Sequence, residues 1–284
     1  MISVLKAGPL TLVQDLGRPG YAHLGVPHSG AADRPALIRA NRLVGNPDTA
    51  AALEITLLGP LLRFNRDARI ALSGAHMPAT LDGKPLPHDA SVMVRATQLL
   101  RIGAARAGVR AYLAVAGGID AAPVLGSRST DILSGLGPAP LADGQRLNIG
   151  TLDEADDRPQ PAATLEAEPV LHILPGPRDD WFAAGSLDTL CRQPYTVTPA
   201  SNRVGVRLDG PVLPRRIVRE LPSEGLVLGA VQVPADGKPL VFLADHPVTG
   251  GYPVIAVVLP EDIPKVAQAR PGSRLRFAPC AGVA

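Results

Sequence analysis

Aromatic residues are scarce in this chain, since Phe, Trp and Tyr make up only 3% of its 284 residues. Hydrophobic residues still reach 46%, so a large core must be built from Val, Leu, Ile and Ala. The 29 Gly and 30 Pro residues form about a fifth of the chain, less than is typical of low-complexity sequences. This profile favours many short strands joined by tight turns over a helical bundle.

Cysteine, charge of one sign and long apolar runs are also in short supply. The two cysteines, Cys191 and Cys280, have no metal-binding or redox spacing and predict a reducing compartment. A formal net charge of +2, without a block of Lys and Arg, argues against a nucleic-acid partner. Because no apolar run reaches membrane length and no signal-peptide pattern opens the chain, we expect a cytoplasmic protein without a membrane partner.

Standard catalytic and nucleotide-binding motifs are missing as well. The sequence contains no Walker A loop, G-x-G-x-x-G turn, H-E-x-x-H helix or G-x-S-x-G elbow. ATP binding by a standard motif of this chain is therefore not expected. No Ala-Met-Lys-Met segment is present to carry biotin, and the six histidines include no i,i+4 pair, so no metal site is predicted.

The segment from Gln14 to Asp33, QDLGRPGYAHLGVPHSGAAD, concentrates polar side chains between regularly spaced glycines and prolines. Glycine allows positive φ and close approach of the backbone to a ligand, whereas proline fixes φ, so the segment is predicted to form a rigid, exposed loop. Long rigid loops are uncommon unless they bind something, which favours a binding function over a solvated connection. Its candidate site residues are Gln14, Asp15, Arg18, Ser29, Gly30 and Asp33.

Three of these residues carry further predictions. Asp15 and Arg18 stand three residues apart in the loop, close enough for a salt bridge that would keep the aspartate ionised. Asp33 precedes an apolar helical pattern that has Pro35 in its first turn and ends at Gly45. Asp33 is therefore a candidate helix N-cap as well as a candidate catalytic residue.

Two other segments carry polar constellations. The GSRST segment, residues 126–130, brings backbone amides, hydroxyls and the Arg128 guanidinium together, which suits either an anion or a turn with Ser/Thr caps. In the second half, Asp245 and His246 lead into TGGYP, which is typical either of a site or of a hairpin turn. The candidate residues of the second half are Arg203, Gln232, Asp245, Thr249, Gly250, Gly251 and Tyr252.

The order of strand-like segments predicts two β-rich modules. Runs rich in β-branched residues and leucine, separated by Gly, Pro and Asp, fill most of both halves. Residues 153–168 are acidic and rich in Ala and Pro, lack periodicity, and form the natural linker. We therefore expect modules over residues 1–152 and 169–284, with the QDLGRPGY and TGGYP loops in one shared cleft.

A set of motifs runs in order along nearly the whole chain: QDLGRPGY, GVPHSGAAD, ANRLVGN, LGSRSTD, SNRVGVRLDGP and TGGYP. In these motifs the sequence resembles the allophanate hydrolase subunit 2 family. That family includes the third subunit of prokaryotic 5-oxoprolinase and half of the carboxyltransferase region of urea carboxylase. The resemblance implies a mainly β fold, with two cyclophilin-like β-barrel modules and a few short helices.

The resemblance also implies an activity and partners. It implies a small amide, lactam or urea-like substrate and a partner similar to allophanate hydrolase subunit 1, with a lactam-utilisation subunit in some complexes. ATP would be used by the complex, because 5-oxoprolinase opens a lactam at the expense of ATP, and this chain would be inactive alone. An amide under attack needs donors for its oxygen and a proton acceptor. The candidate donors are Gln14, Arg18 and Gln232, and the candidate acceptors are Asp15, Asp33 and Asp245.

Three functions remain open at this level. The first is a subunit of an ATP-dependent amidohydrolase of 5-oxoprolinase or allophanate hydrolase type, which acts on C–N bonds of cyclic or linear amides. The second is the carboxyltransferase component of a urea or amide carboxylase, which would depend on biotin. The third is a non-enzymatic regulator that binds a subunit 1-like partner. The genes encoded alongside this chain would discriminate between them.

Overall fold

The structure is a computed structural model that describes residues 1–151 and 165–280. The chain divides into two units, Met1–Arg18 with Ser29–Leu165, and Pro19–His28 with Glu166–Ala284. Most of the predicted linker, residues 153–164, lies outside the described residues, so the predicted boundaries at 152 and 169 stay a prediction. Within the described ranges, no helix is long and apolar enough to cross a membrane.

Strands dominate both units, which confirms the prediction of a mainly β chain with few and short helices. The first unit contains β1 (Ile2–Lys6), β2 (Thr11–Gln14), α1 (Arg34–Leu43), β3 (Ala52–Thr56), β4 (Leu61–Phe64), β5 (Ala68–His76), β6 (Ala79–Leu81), β7 (Lys84–Leu86), β8 (Ser91–Val94), β9 (Leu99–Ile102), β10 (Ala107–Val115), β11 (Ile119–Asp120) and β12 (Arg146–Ile149). The second unit contains β13 (Val170–Pro175), α2 (Ser186–Arg192), β14 (Tyr195–Val197), β15 (Gly205–Asp209), β16 (Glu224–Gly225), β17 (Ala230–Gln232), β18 (Leu240–Phe242), β19 (Thr249–Gly250), β20 (Val254–Val258), α3 (Ile263–Gln268) and β21 (Arg274–Pro279). Short 3-10 helices lie at Ala22–Leu24, Asp179–Trp181 and Pro260–Asp262.

The first unit is built from two sheets around an aliphatic core. One sheet has seven strands in the order β11-β12-β1-β4-β9-β6-β7, and the other has five in the order β2-β3-β10-β5-β8. The inward-facing residues are mostly Val, Leu, Ile and Ala, with Phe64 as the aromatic member of the main cluster. The scarcity of aromatic residues therefore does not prevent a continuous core, because aliphatic side chains from both sheets fill it.

Helix α1 begins after Asp33, as the sequence predicts, and ends at Leu43 with Val44 as its C-cap, one residue before the predicted Gly45. The Asp33 carboxylate accepts a hydrogen bond from the Ala36 backbone N–H at 3.0 Å, which satisfies one of the free donors of the first turn. At the other end, Gly45 has a φ of 82° and donates its N–H to Arg42 O at 3.0 Å. The apolar face of the helix, which includes Leu37, packs in a second buried cluster of the first unit. Burial of this face fixes the segment just before the helix, where the candidate residues lie.

The second unit contains a closed barrel, in agreement with the barrel architecture that the family resemblance implies. Its strand order is β13-β20-β17-β18-β15-β14-β21, and β13 closes it by pairing in parallel with β21. The rings of Tyr195 and Phe277 meet edge to face inside it, with centroids 5.9 Å apart. Strands β16 and β19 form a separate two-stranded ribbon that carries part of TGGYP.

Candidate functional site

The QDLGRPGY loop leaves the end of β2 and is pinned at its base. Ala31 donates its backbone N–H to Asp15 O at 2.9 Å, so the two ends of the loop lie side by side. Gly30 has a φ of 87°, and a Cβ at this position would lie 2.7 Å from Gly17 N. Ser29 also adopts the left-handed conformation, with a φ of 53°. Only glycine fits at position 30. The predicted exposure of the loop is wrong at its base, because Gln14, Asp15, Arg18 and Ser29 are buried.

The Asp15 carboxylate, 7% exposed, is held by the GSRST segment. Its Oδ1 accepts hydrogen bonds from Ser127 Oγ at 2.6 Å, Ser129 Oγ at 2.5 Å and Gly17 N at 2.8 Å. Its Oδ2 accepts one from the Arg128 backbone N–H at 2.6 Å. The segment that the sequence marks as a candidate anion site thus binds an anion, and that anion is Asp15.

This arrangement limits what the GSRST segment and Asp15 can do. The amide of Arg128 and the hydroxyls of Ser127 and Ser129 already donate to Asp15, so they do not fit an ATP phosphate as well. The Arg128 side chain is 41% exposed and lies 3.9 Å from Asp120. The hydrogen bonds that Asp15 accepts from Ser127, Ser129 and the Arg128 backbone join the loop to the GSRST segment.

Arg18 binds backbone carbonyls instead of Asp15. Its side chain is 1% exposed, its Nη2 donates to Ser129 O, and its Nε lies 3.4 Å from Val124 O. Among the described residues, the predicted ion pair with Asp15 does not form, because each side chain is engaged elsewhere. Nη1 of Arg18 is buried without a hydrogen-bond partner in the described part of the chain. Such an atom is costly to bury.

Gln14 and Thr130 also carry unpaired polar atoms. Gln14 Nε2 donates to Thr130 O at 2.7 Å, and Ser29 Oγ donates to the same carbonyl at 3.2 Å. Gln14 Oε1 and Thr130 Oγ1 are buried without a partner in the described ranges. We call Gln14, Arg18, Ser29, Ser129 and Thr130 the buried polar cluster. It contains one unpaired cationic donor, one unpaired amide acceptor and one unpaired hydroxyl.

Gly137 packs tightly against the buried polar cluster. Its φ is 85°, and a Cβ there would lie 2.0 Å from Ser129 O and 3.2 Å from Arg18 Nη2. Neighbouring Gly135 has a similar φ of 75°, but a Cβ there would meet no atom within 4 Å. The two glycines therefore share the same backbone strain and differ in their contacts.

We expect Gly137→Ala to lower the melting temperature more than Gly135→Ala does. Alanine in the left-handed conformation is strained by roughly 1–2 kcal/mol at either position. Only at position 137 must the Ser129 carbonyl also move, which would loosen its hydrogen bond with Arg18. Thermal unfolding of both variants measures the difference, and equal melting temperatures would contradict tight packing at Ser129.

A second buried network, which the sequence did not predict, holds the residues before α1. Tyr112 Oη donates to Glu54 Oε2 at 2.8 Å and accepts from the Asp33 N–H at 2.8 Å. Ala32 N also donates to Glu54 Oε2, at 3.1 Å, and Arg110 Nε lies 3.7 Å from Glu54 Oε1. Asp33 thus serves as helix cap and as part of this network. Its predicted catalytic role stays a prediction.

The electrostatics of this network keep its phenol protonated. Burial, followed by the nearby carboxylates of Glu54 and Asp33, raises the pKa of Tyr112 well above its usual value. Tyr112 therefore remains a hydrogen-bond donor to Glu54 over the physiological pH range. The signal that could have revealed the network is the acidic residue inside the apolar run LEITLL, since a charge in such a strand needs a buried partner.

In the second unit, Arg203 and Asp245 form a buried ion pair. Arg203 Nε donates to Asp245 Oδ2 at 2.8 Å and Nη2 to Oδ1 at 2.9 Å, while the side chains are 1% and 0% exposed. This bidentate geometry is the strongest form of an arginine–carboxylate interaction. It occupies both oxygens of Asp245, the residue predicted as a proton acceptor, so the pair is suited to joining two segments of the barrel unit.

The TGGYP loop is fixed on one side and open on the other. Its first two residues, Thr249 and Gly250, form β19, and Gln232 Nε2 donates to Tyr252 O at 3.0 Å. A Cβ on Gly250 would lie 2.8 Å from Gln232 Nε2, so the glycine allows this close packing. Gly251 is exposed, and the Tyr252 ring is 48% exposed with the Arg215 guanidinium 5.6 Å from its centroid.

The structure brings the candidate residues together within each unit. Gln14, Asp15, Arg18, Ser29, Gly30 and the Arg128 backbone meet in the first unit, and Gln232, Gly250 and Tyr252 meet in the second. Their catalytic and binding roles, and the predicted shared cleft of the two loops, stay predictions. Within the described ranges, no group of three or more His, Cys, Asp or Glu side chains could hold a metal ion.

Sequence comparisons place this architecture among known proteins. The profile of a family described as carboxyltransferase domain, subdomain A and B, matches residues 24–279. The chain is 42% identical over 283 residues to the C subunit of 5-oxoprolinase from Escherichia coli (strain K12), covering 99% of this chain and 91% of that protein. It is 34% identical over 282 residues to the C subunit of 5-oxoprolinase from Haemophilus influenzae, covering 98% of this chain and 90% of that protein. Urea amidolyase of Lachancea kluyveri is 35% identical over 308 residues, covering 97% of this chain and 17% of that protein.

Solved structures with the same fold are longer than this chain. The crystal structure of TTHA0988 matches with a TM-score of 0.89 and 40% identity, covering 98% of this chain and 55% of that one. The K. lactis urea amidolyase structure matches with a TM-score of 0.91 and 32% identity, covering 99% of this chain and 19% of that one. The chain therefore spans about half of the first structure and about a fifth of the second.

Proposed function

Because the chain belongs to the carboxyltransferase domain family, subdomains A and B, we propose that it is a subunit of an ATP-dependent amidohydrolase complex of 5-oxoprolinase type. The observation that carries this proposal is the 42% identity to the C subunit of the E. coli enzyme over 99% of this chain and 91% of that protein. The family resemblance drawn from the motifs is confirmed at this level. In this proposal the chain hydrolyses C–N bonds only together with its partner subunits.

The buried polar cluster supports amide chemistry. Arg18 Nη1 is a cationic donor, buried and without an acceptor among the described residues. Its guanidinium is held in place by the Ser129 carbonyl, so it cannot turn away. A donor fixed in this way would stabilise the negative charge that develops on an amide oxygen during attack. Burial strengthens the effect, because the surroundings screen charge less than water does.

The proposal extends to the use of ATP, the partner subunits and the location of the protein in the cell. The complex, not a standard motif of this chain, would bind ATP, and the GSRST segment is unsuited to its phosphates because Asp15 occupies those donors. The partner would be a chain similar to allophanate hydrolase subunit 1, with a lactam-utilisation subunit as a third component. A cytoplasmic location suits Cys191 and Cys280, which are not joined in a disulfide.

Carboxyl transfer is the second candidate function. The structural match to K. lactis urea amidolyase, with a TM-score of 0.91, is the observation in its favour. The chain would then be the component of a biotin-dependent carboxylase that delivers a carboxyl group to a urea or amide nitrogen. It would require a biotin carboxylase and a biotin carrier encoded alongside this chain.

Reconstitution tests the proposed function. The chain is co-expressed with the partner subunits encoded beside it, and the complex is assayed for ATP-dependent conversion of 5-oxoproline to glutamate. We expect turnover with all subunits and ATP present, and none with this chain alone or with a complex that lacks it. Lack of turnover with every cognate subunit present would contradict the proposal, as would biotin-dependent carboxylation of urea by the same complex.

A further inference from the structure

The long loop between β11 and β12 exposes apolar side chains. It covers residues 121–145 without a helix or strand, and loops of this length are uncommon unless they bind something. Leu125, Ile132 and Leu133 are 38%, 36% and 50% exposed, and we call them the apolar loop surface. The other exposed residues between positions 121 and 140 are Ala, Pro, Gly and Ser. Exposed apolar side chains that cluster in this way are typical of interaction surfaces.

The two charged residues between positions 121 and 140 are already engaged. Asp131 is 1% exposed, and its carboxylate accepts hydrogen bonds from Leu133 N at 2.9 Å and Ser134 Oγ at 2.6 Å. The Arg128 side chain, which is partly exposed, lies 3.9 Å from Asp120. The loop therefore presents an apolar face with little charge, which is the composition found at the core of protein–protein interfaces.

Two closed turns present the apolar loop surface. In the first, Val124 and Ser127 exchange backbone hydrogen bonds, and the residues between them, Leu125 and Gly126, have φ angles of 51° and 78°. The second turn, residues 131–136, is closed by backbone hydrogen bonds of 2.9 and 3.0 Å. Because both turns are formed in the chain by itself, a partner that binds them loses little affinity to ordering the loop.

The bases of the two turns meet at the Arg18 guanidinium. Its Nε lies 3.4 Å from Val124 O in the first turn, and its Nη2 donates to Ser129 O, two residues before the second turn. Gly137 follows the second turn and packs so closely that a Cβ there would lie 3.2 Å from Nη2. Both turns are therefore held side by side in the first unit, and their exposed residues belong to one surface.

Resting on the proposed function, we infer that the apolar loop surface docks this chain onto its partner subunit, the one similar to allophanate hydrolase subunit 1. The matching face of that subunit is apolar and uncharged, because a charge buried against this surface would lose its hydration without gaining a counter-ion. A protein is the fitting occupant, since the E. coli relative is a C subunit and this domain covers only 55% of the TTHA0988 chain. Docking here joins the partner to the segment that holds Asp15 and Arg18.

Leu125→Gly tests the inference while keeping the fold. Glycine suits the positive φ of this position, so the relief of strain offsets its greater freedom in the unfolded chain, and the melting temperature should equal or exceed that of the wild type. The Kd for the purified partner subunit, measured by biolayer interferometry, should rise at least about tenfold. Leu57→Gly is the matched control. Leu57 has a φ of 62° and is 37% exposed outside the loop, so its loss should leave the Kd unchanged.

Leu133→Asp tests the same surface by adding a charge. The Kd should rise about 100-fold, because the new carboxylate would be buried in the interface without a counter-ion. Met93→Asp is the control, since Met93 is 48% exposed on β8, away from the loop, and this variant should bind like the wild type. The Kd of the wild type should also change little from low to high salt, because few charges are screened.

The outcomes separate this inference from the proposed function. Weaker binding by Leu125→Gly and Leu133→Asp, with both controls unchanged, supports the docking surface. It would still do so if the wild-type complex showed no ATP-dependent turnover of 5-oxoproline, a result that contradicts the proposed function alone. Wild-type Kd values in both variants would overturn the inference, as would a Kd that rises steeply with salt or a wild-type chain that does not bind the partner.

Size-exclusion chromatography of the chain alone tests the other occupant, a second copy of this chain. The inference predicts the same elution volume for the wild type and Leu133→Asp when the partner is absent. If Leu133→Asp instead dissociates an oligomer of the chain and leaves partner binding unchanged, the loop joins two copies and the inference is overturned.

Discussion

Replacing Arg18 with lysine should lower kcat/KM of the reconstituted complex about 100-fold while the chain still folds. Lysine keeps the positive charge but has a single nitrogen in place of the planar fork. Nη2 of Arg18 holds the Ser129 carbonyl, and in the proposed function Nη1 would donate to a substrate oxygen. One ammonium group cannot do both. The measurement is kcat and KM for ATP-dependent 5-oxoproline hydrolysis, with the melting temperature of the same variant.

Arg39 provides the matched control for this substitution. It is also buried in the first unit, 5% exposed, and its Nη1 donates to Ser73 Oγ at 3.1 Å, away from the buried polar cluster. Arg39→Lys should lower the melting temperature and leave kcat/KM near the wild-type value. If Arg18→Lys behaves in the same way, then Arg18 only holds the loop and the substrate oxygen binds elsewhere.

Local sequence patterns predicted the elements that depend on neighbouring residues. The cap of α1 follows from Asp33 and Gly45, since each acts on backbone groups within four residues. Asp82 and Gly83, a pair typical of tight hairpins, form the turn between β6 and β7, with φ angles of 48° and 81°. The five residues DGKPL occur at positions 82–86 and again at 236–240. The second copy does not form a tight hairpin, because a longer connection joins β17 and β18, with Gln232 paired to Leu240. The same five-residue sequence therefore forms different connections because the flanking strands differ.

The partners of the polar side chains could not be predicted from spacing. Asp15 and Arg18 are three residues apart, yet the hydroxyls that bind Asp15 come from residues 112 and 114 positions further along. These donors, delivered by the fold, satisfy the carboxylate more fully than one neighbouring guanidinium would. The direction of the Gln14 amide depends in the same way on a carbonyl 116 positions away. The spacing of residues within the loop therefore predicted which polar residues lie together, but not which of their atoms have hydrogen-bond partners.

The partner of Asp245 could not be predicted from sequence spacing either, and this partner has a larger effect on stability. An acid beside a histidine and TGGYP suggested a proton acceptor, but the fold places Arg203, 42 positions away, against both of its oxygens. A buried pair of this kind is costly to form, since both charges lose their hydration, and it is very sensitive to loss of one member. A structural role and a catalytic role of Asp245 therefore predict different results for substitutions at this pair.

Asp245→Ala should lower the free energy of unfolding by about 3–5 kcal/mol, because the Arg203 guanidinium would stay buried without its counter-ion. The corresponding fall in melting temperature is on the order of 10 °C. Denaturant and thermal unfolding of the chain measure both quantities. Glu224→Gln is the control. Glu224, 30% exposed, pairs with Arg178, 37% exposed, so this substitution should lower the free energy of unfolding much less. A wild-type melting temperature for Asp245→Ala would contradict a stabilising role for the pair.

The double variant Arg203→Met, Asp245→Leu separates the two roles of Asp245. Removing both charges leaves no uncompensated ion in the interior, so much of the lost stability should return. If Asp245 only joins segments of the second unit, a complex with the stable double variant should hydrolyse 5-oxoproline at a rate near that of the wild type. If Asp245 accepts a proton, kcat should fall in the double variant although its melting temperature has recovered. Because the variant restores stability without restoring the carboxylate, a loss of kcat under these conditions has to come from the chemistry and not from the fold.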